Sequence, residues 1–355
     1  EQLGIACGGA GNAGKEAIVT RFVWAILFIV SLGAATSLAA ASPSPYRTRT
    51  NHPLRLGAYD PIPSSTNPSG DGRWLLSADF EYASVYFAAT SDDNTQTAIF
   101  DFELAKLSIG GVYAFEQSPF ALSAQLGLYH FSKGFLDDFL EGYHDILNLP
   151  NSGREDRPHN DFASEIRDLG GNLLLGGASG GVRIGSLALA GMHRHQESTT
   201  WAGGELNFSE RFGVSIPIGD DSALLDAGFE VSAGVIASLA GDGWSVDGNL
   251  DLTLPLEKTP YDHDSVRSLF WGKLMLTGAY EFWSGVWGRA QFVVASPRRE
   301  SDAGHFHVDE WNALGTFGAQ IELDESKLLS IALVEDLNPG VDADFSVLFA
   351  LDWRF

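Results

Sequence analysis

Apolar and polar residues alternate one for one along much of this chain. In the closing run "ADFSVLFALDWRF", Phe345, Val347, Phe349, Leu351, Trp353 and Phe355 fall on one side. Asp344, Ser346, Ala350, Asp352 and Arg354 fall on the other, with Leu348 the exception. A period of two is the period of a strand. In "WSVDGNLDLTLPL", Ser245, Asp247, Asn249, Asp251 and Thr253 oppose Val246, Leu250, Leu252 and Leu254. In "TAIFDFEL", Asp101 and Glu103 oppose Phe100, Phe102 and Leu104. From Trp74 onward about 12 such segments follow one another, an even number and mostly long enough to cross a bilayer when tilted.

The connections sharpen the prediction. Longer polar segments, such as "EKTPYDHDS" and the whole of 133–179, alternate with short turns such as "EQSP", "GDG" and "DES". Long loops on one side and short turns on the other fit a barrel with both termini at the periplasmic face. Only "HRHQESTTWAG" is long where a short turn is expected. A soluble two-sheet sandwich would alternate in the same way, but so many strands would need a covering layer, and the sequence offers one helix. The predicted fold is therefore all-β: a transmembrane antiparallel up-and-down β-barrel over residues 74–355, apolar residues toward lipid and polar residues inward.

That helix lies in "GFLDDFLEGYHDILNLPNSGREDR", residues 134–157. At 100° per residue, Phe135, Leu136, Phe139, Leu140, Tyr143, Ile146 and Leu147 share one stripe, while Asp137, Asp138, Glu141, His144 and Asp145 cover the rest. A helix lying on anionic lipid would carry a basic polar face. This one is acidic, so its stripe is expected to pack on protein and constrict the barrel mouth, with Phe135, Leu136, Phe139, Leu140, Tyr143, His144 and Ile146 as the constricting residues. The alternative is a surface helix of an extracellular loop with no transport role.

Composition adds the compartment. "VTRFVWAILFIVSLGAATSLAAAS" sets Arg21 before an apolar run and small residues, the pattern of a signal peptide ending near Ala41, with 1–18 read as upstream sequence. The apolar run is too short for a transmembrane helix. The only cysteine, Cys7, lies in this part, so the exported chain is expected to hold no disulfide. Residues 42–73, rich in Pro, Ser and Gly and without period, read as a flexible N-terminal segment. A net charge of −24 argues against nucleic acid as partner. It leaves a barrel open, because charges can line a lumen.

The inward-facing candidates are Asp79, Glu81, Asp101, Glu103, Glu205, Asp247 and Asp251, with Arg289 and Arg354. Two readings stand. The acids bias a water-filled lumen toward cations. Or they pair with Arg183, Arg211, Arg289 and Arg354 and close a narrow interior. His193 with His195, and His305 with His307, form two H-x-H pairs in turns or loops, read as solvated histidines because a metal needs a third ligand. His144 sits among acids, yet no G-x-S-x-G elbow appears. "GGASGG" lacks a following G-K-[ST], so it is not a phosphate loop. No metal, cofactor or catalytic residue is predicted.

The alternating terminal strand, with Phe349, Leu351, Trp353 and Phe355, resembles the signal by which the barrel-assembly machinery recognises outer-membrane proteins. "GFLDDFLEGYHDILNLPNSGREDRPHNDF", "SIPIGDDSALLDAGFEVSAG" and "EDLNPGVDADFSVLFALDWRF" resemble a family of uncharacterised proteobacterial outer-membrane proteins catalogued as a domain of unknown function. The resemblance implies a location, the outer membrane of a Gram-negative bacterium, and a fold, but no substrate. The partners expected are outer-membrane lipids and, during biogenesis, the assembly machinery. The function expected is a channel or transporter for a small or apolar solute. The alternatives are a sealed structural or loop-presenting barrel and a lipid-modifying enzyme.

Overall fold

The computed structural model describes residues 44–355 apart from 67–72, 92–93, 148–153, 155–156, 177–179, 196, 220–223, 226–227, 258–265, 269, 302–309, 339–340 and 344. The first strands are β1 (Trp74–Thr90), β2 (Gln96–Ala114) and β3 (Phe120–Ser132), followed by the helix α1 (Asp137–Leu147). Then come β4 (Ala163–Asp168), β5 (Leu173–Gly176), β6 (Val182–Arg194), β7 (Thr199–Trp201), β8 (Gly204–Ile216), β9 (Glu230–Gly241) and β10 (Trp244–Pro255). The last are β11 (Val266–Ser268), β12 (Trp271–Trp283), β13 (Val286–Ala295), β14 (Arg299–Ser301), β15 (Asn312–Asp324), β16 (Lys327–Asp336) and β17 (Phe345–Arg354).

Twelve of these strands form a closed antiparallel barrel in the order β1-β2-β3-β6-β8-β9-β10-β12-β13-β15-β16-β17. Closure is made by β17 on β1, from Leu75↔Arg354 to Ser84↔Phe345. The short strands lie off this ring: β4 extends the far end of β2, β5 pairs with β4, β7 with β8, and β11 with β14. Among the described residues no helix is long and apolar enough to cross a membrane. The strands do the crossing.

One end of the barrel carries short connections, 115–119, 242–243, 284–285 and 325–326, together with the longer 195–203. Gly243 and Gly285 have φ of 71° and 75°, the left-handed conformation that a tight two-residue hairpin demands. This turn end also holds the start of β1 and the end of β17. The opposite, loop end holds 133–181 with α1 and the segments 217–229, 256–270 and 296–311. Outward side chains such as Leu250, Leu252, Leu254, Leu276, Phe317 and Leu333 are exposed. At the turn end Trp74, Phe120, Trp201, Phe282, Trp283 and Phe355 are exposed too. An apolar belt edged by aromatic residues is what lipid selects on such a barrel.

The segment read as flexible is packed inside. Residues 44–66 run as a hairpin through the lumen, and Tyr46, Thr48, Asn51, His52, Arg55, Tyr59 and Asp60 are buried. It starts near the turn end, where Gln320 donates to the Ser44 carbonyl at 2.8 Å. It climbs to a tip at 52–58, where His52 stands 5.7 Å from Phe87 and Arg55 reaches the Glu310 carbonyl at 3.0 Å. It then descends to Thr66, whose N–H donates to Ser238 at 3.0 Å. Its composition promises disorder because it has no periodicity of its own. Its polar groups are satisfied by the barrel wall instead of by secondary structure, a resource that local sequence cannot reveal.

Candidate functional site

The lumen is the site, built from a polar wall and the hairpin that fills it. Because cross-strand partners share a face, the pairing Glu81↔Lys106 fixes which positions of β1 and β2 point inward. Lys106 binds Glu81 at 2.5 Å and donates to Asn51 of the plug at 3.0 Å. Across the barrel Arg211 binds Asp251 at 2.6 Å, and Arg289 approaches Asp247 at 3.7 Å. The wall thus pairs much of its charge with itself.

The plug is held by charges of both signs. Arg47 bridges Asp79 at 2.7 Å and Asp352 at 2.5 Å near the turn end. Asp60 receives Lys273 at 2.6 Å and Arg298 at 3.4 Å toward the loop end. Ser64 and Asn249 exchange two hydrogen bonds of 2.8 Å, and Thr50 donates to Asp342 at 2.6 Å. Burial pushes the Asp342 carboxyl above the usual carboxylate range. At the tip, Leu54 and Leu56 join Phe87, Phe100, Phe102, Leu104, Phe131, Leu224 and Leu225 in an apolar cluster. Backbone approach is close enough that a Cβ on Gly57 would lie 2.6 Å from the Leu225 carbonyl carbon. A cavity of about 60 Å³ remains between residues 59–65 and the walls of β1, β2, β3 and β6.

Of the residues expected to line the lumen, Asp79, Glu81, Asp247, Asp251, Arg289 and Arg354 face inward and are buried. Glu205 has the inward parity of Ser209 and Arg211 but sits at the first turn of β8, exposed. Asp101 and Glu103 are corrected. Glu103 pairs across from Ser84, three positions from the inward Glu81, and therefore points to the outer face. There it accepts N–H groups from Phe135 and Leu136 at 2.5 and 2.7 Å, and the Tyr82 hydroxyl. Asp101 binds Arg157 at 3.0 Å in the loop outside the wall. The period of two holds along all of β2, but toward the loop end the polarity of its two faces reverses. The inside of β2 meets the apolar plug tip and the outside meets polar loop. Arg47, Asp60 and Asp352, which do most to hold the plug, were missed because two belong to the aperiodic segment.

The constriction helix is also corrected. Phe135 packs 5.6 Å from Tyr82, while Phe139 and Tyr143 lie 6.1 and 5.7 Å from Phe345. Tyr82 and Phe345 belong to the outward faces of β1 and β17, so α1 lies against the outer wall at the loop end. Leu140 and His144 are buried beneath it, whereas Phe135, Phe139 and Ile146 are exposed at 67%, 54% and 84%. Its acidic face binds within its own loop. Arg154 meets Asp137 at 2.6 Å, and His159 meets Asp138 at 2.8 Å and Glu141 at 3.0 Å. The hydrogen bond to Asp138, then the Glu141 charge, raise the His159 pKa above the ordinary imidazole value. Phe349, Leu351, Trp353 and Phe355 lie outward on the closing strand, and Phe355 exchanges backbone hydrogen bonds of 2.9 and 3.0 Å with Trp74. The His305–His307 pair and the signal peptide lie outside the described residues.

A closed twelve-stranded barrel with an apolar outer belt and a polar lumen is a transmembrane β-barrel of the outer-membrane type. The sequence matches the family described as "Protein of unknown function (DUF3187)" over residues 23–355, and the chain belongs to that family. No curated protein matches it. Among solved structures it is similar to the COG4313 outer membrane channel from Pseudomonas putida F1, at 14% identity and a TM-score of 0.53, covering 83% of this chain and all of that one. The KdgM porin in complex with disordered oligogalacturonate follows, with 7% identity, a TM-score of 0.40, and 79% and 99% of the two chains covered. The P. putida toluene transporter TodX has 11% identity, a TM-score of 0.35, and 82% and 92% covered. At 14% identity the likeness to the first of these is one of fold.

Proposed function

We propose that this protein is an outer-membrane channel for small polar solutes, with its turn end toward the periplasm, closed at rest by its own residues 44–66. The observation that carries the reading is the nature of the obstruction. What fills the lumen is a polar, terminal segment of the chain, tied by ion pairs to a wall that is itself polar. A barrel sealed for structure alone would close by pairing the wall's own charges, as Lys106 with Glu81 and Arg211 with Asp251 do, and would need no terminal segment threaded through it. Several buried wall atoms, among them Thr253 Oγ1, Arg289 Nη2, Gln291 Oε1, Thr316 Oγ1 and Gln320 Oε1, have no hydrogen-bond partner among the described residues. Such groups cost about 1–3 kcal/mol each when dry, so they favour a lumen that admits water.

Withdrawal of the plug would unpair Asp79 and Asp352 near the turn end, and Lys273 and Arg298 nearer the loop end. The open path would then carry an acidic zone and a basic zone in series. This predicts weak ion selectivity, in place of the cation preference that Asp101 and Glu103 would have supplied from inside. The experiment is conductance in planar bilayers. The intact chain is expected to be mostly closed, and a chain lacking residues 44–66 to conduct steadily. A plug-deleted barrel that is folded and silent would overturn the channel reading in favour of a sealed structural barrel.

A further inference from the structure

The turn end carries a second cluster, outside the lumen. His193 is the penultimate residue of β6 and pairs directly across from Glu210 on β8. Both point outward, because the neighbouring Met192, Ser209 and Arg211 are buried inward. The His195 N–H donates to the Phe208 carbonyl at 3.0 Å, which continues the ladder beyond β6 and puts His195 on the same side as His193. Glu210 Oε2 lies 3.0 Å from His193 Nδ1, and Glu210 Oε1 lies 3.0 Å from His195 Nε2. The three donor atoms all fall within 4.8 Å of one another.

The surroundings make this set unusual. Phe208 and Phe212 flank Glu210 along β8, both exposed, and the Phe120 ring lies 5.0 Å from that of His193, tilted by 43°. A carboxylate in an apolar, aromatic belt is costly unless compensated, and here both of its oxygens are engaged by imidazoles. Bonds of about 2.0–2.2 Å to a tetrahedral ion place donors about 3.4 Å apart, so small side-chain rotations convert the hydrogen-bonded trio into a ligand set. Two imidazole nitrogens and one carboxylate suit zinc and its neighbours, whereas magnesium and calcium favour all-oxygen shells. Glu197 and Thr199 line the recess beside the trio.

We propose that His193, His195 and Glu210 form a zinc-type divalent metal site on the outer face of the barrel, taking one ion per chain. The ion fastens the unusually long 195–203 turn to β8. This site is independent of whether the lumen conducts. The test is zinc titration calorimetry on the full chain in detergent, without an affinity tag, with cobalt(II) absorption as a second readout. One saturable ion per chain is expected. His193→Ala, His195→Ala and Glu210→Gln are each expected to weaken it by about tenfold or more. His130→Ala, at a half-buried histidine on β3 near the loop end, should leave it unchanged, and millimolar magnesium or calcium should not compete. Unheated gel mobility confirms a folded barrel for each variant. His195 lies beyond the end of β6, so its replacement leaves the barrel ladder intact. Absence of a saturable single site, or its survival in the His193→Ala/His195→Ala double variant, overturns the proposal.

Discussion

At the scale of single residues, position along the strand matters as much as parity. Asp79 and Glu81 face the lumen, while Asp101 and Glu103, chosen by the same alternation, face the outer loop. The sequence shows that each pair shares a face but not which face, because the inside of β2 changes from polar plug to apolar plug tip along its length. Arg47 joins two acids, one from the first strand and one from the last. Breaking a buried pair by removing one side costs about 3–5 kcal/mol, mostly from the charge left behind. Asp79→Asn with Asp352→Asn strands the Arg47 guanidinium, so the plug should loosen. Single-channel recording of the double variant should show open bursts that the parent lacks. An equally silent double variant would mean that the tip cluster around Leu54 and Leu56 holds the plug by itself.

At the scale of elements, α1 shows where pattern reading stops. Its amphipathic stripe and its acidic face are plain in the sequence, and the structure has a helix there, shortened to Asp137–Leu147. What the stripe touches is another matter. Its acidic groups find Arg154 and His159 within the same loop, which removes the objection to a place on the outer wall. Glu103 is the anchor, accepting two backbone N–H groups just before the helix begins. A hydrogen bond within a protein contributes about 0.5–1.5 kcal/mol net. Glu103→Ala should therefore release the start of α1, and limited proteolysis of the folded barrel should cut faster within 133–162. Unchanged cleavage would show that the contacts with Tyr82 and Phe345 suffice.

At the scale of the whole molecule, the last residue finishes the seam that closes the barrel. Phe355 and Trp74 exchange backbone hydrogen bonds at the seam between the terminal strands, and the Phe355 ring lies in the aromatic edge of the outer belt. Deleting Phe355 removes two seam hydrogen bonds and an interfacial anchor together. The expected outcome is less heat-modifiable barrel in the membrane fraction and more unassembled chain. Phe355→Tyr, which keeps the seam and the anchor, should assemble normally. Equal assembly of the deletion would detach Phe355 from biogenesis.

The sequence by itself determined the strands, their number in the ring, the outward belt and the alternation of long and short connections. These follow from period two and from the placing of turn residues, which are local properties. Only the tertiary structure decided that residues 44–66 occupy the lumen, that α1 lies outside it, and that His193, His195 and Glu210 meet. Each of these is a contact between segments far apart in the chain or across strands, and is fixed by where complementary charge and space are found once the barrel has closed. Arg47 lies 305 residues from Asp352, and no local pattern could have joined them.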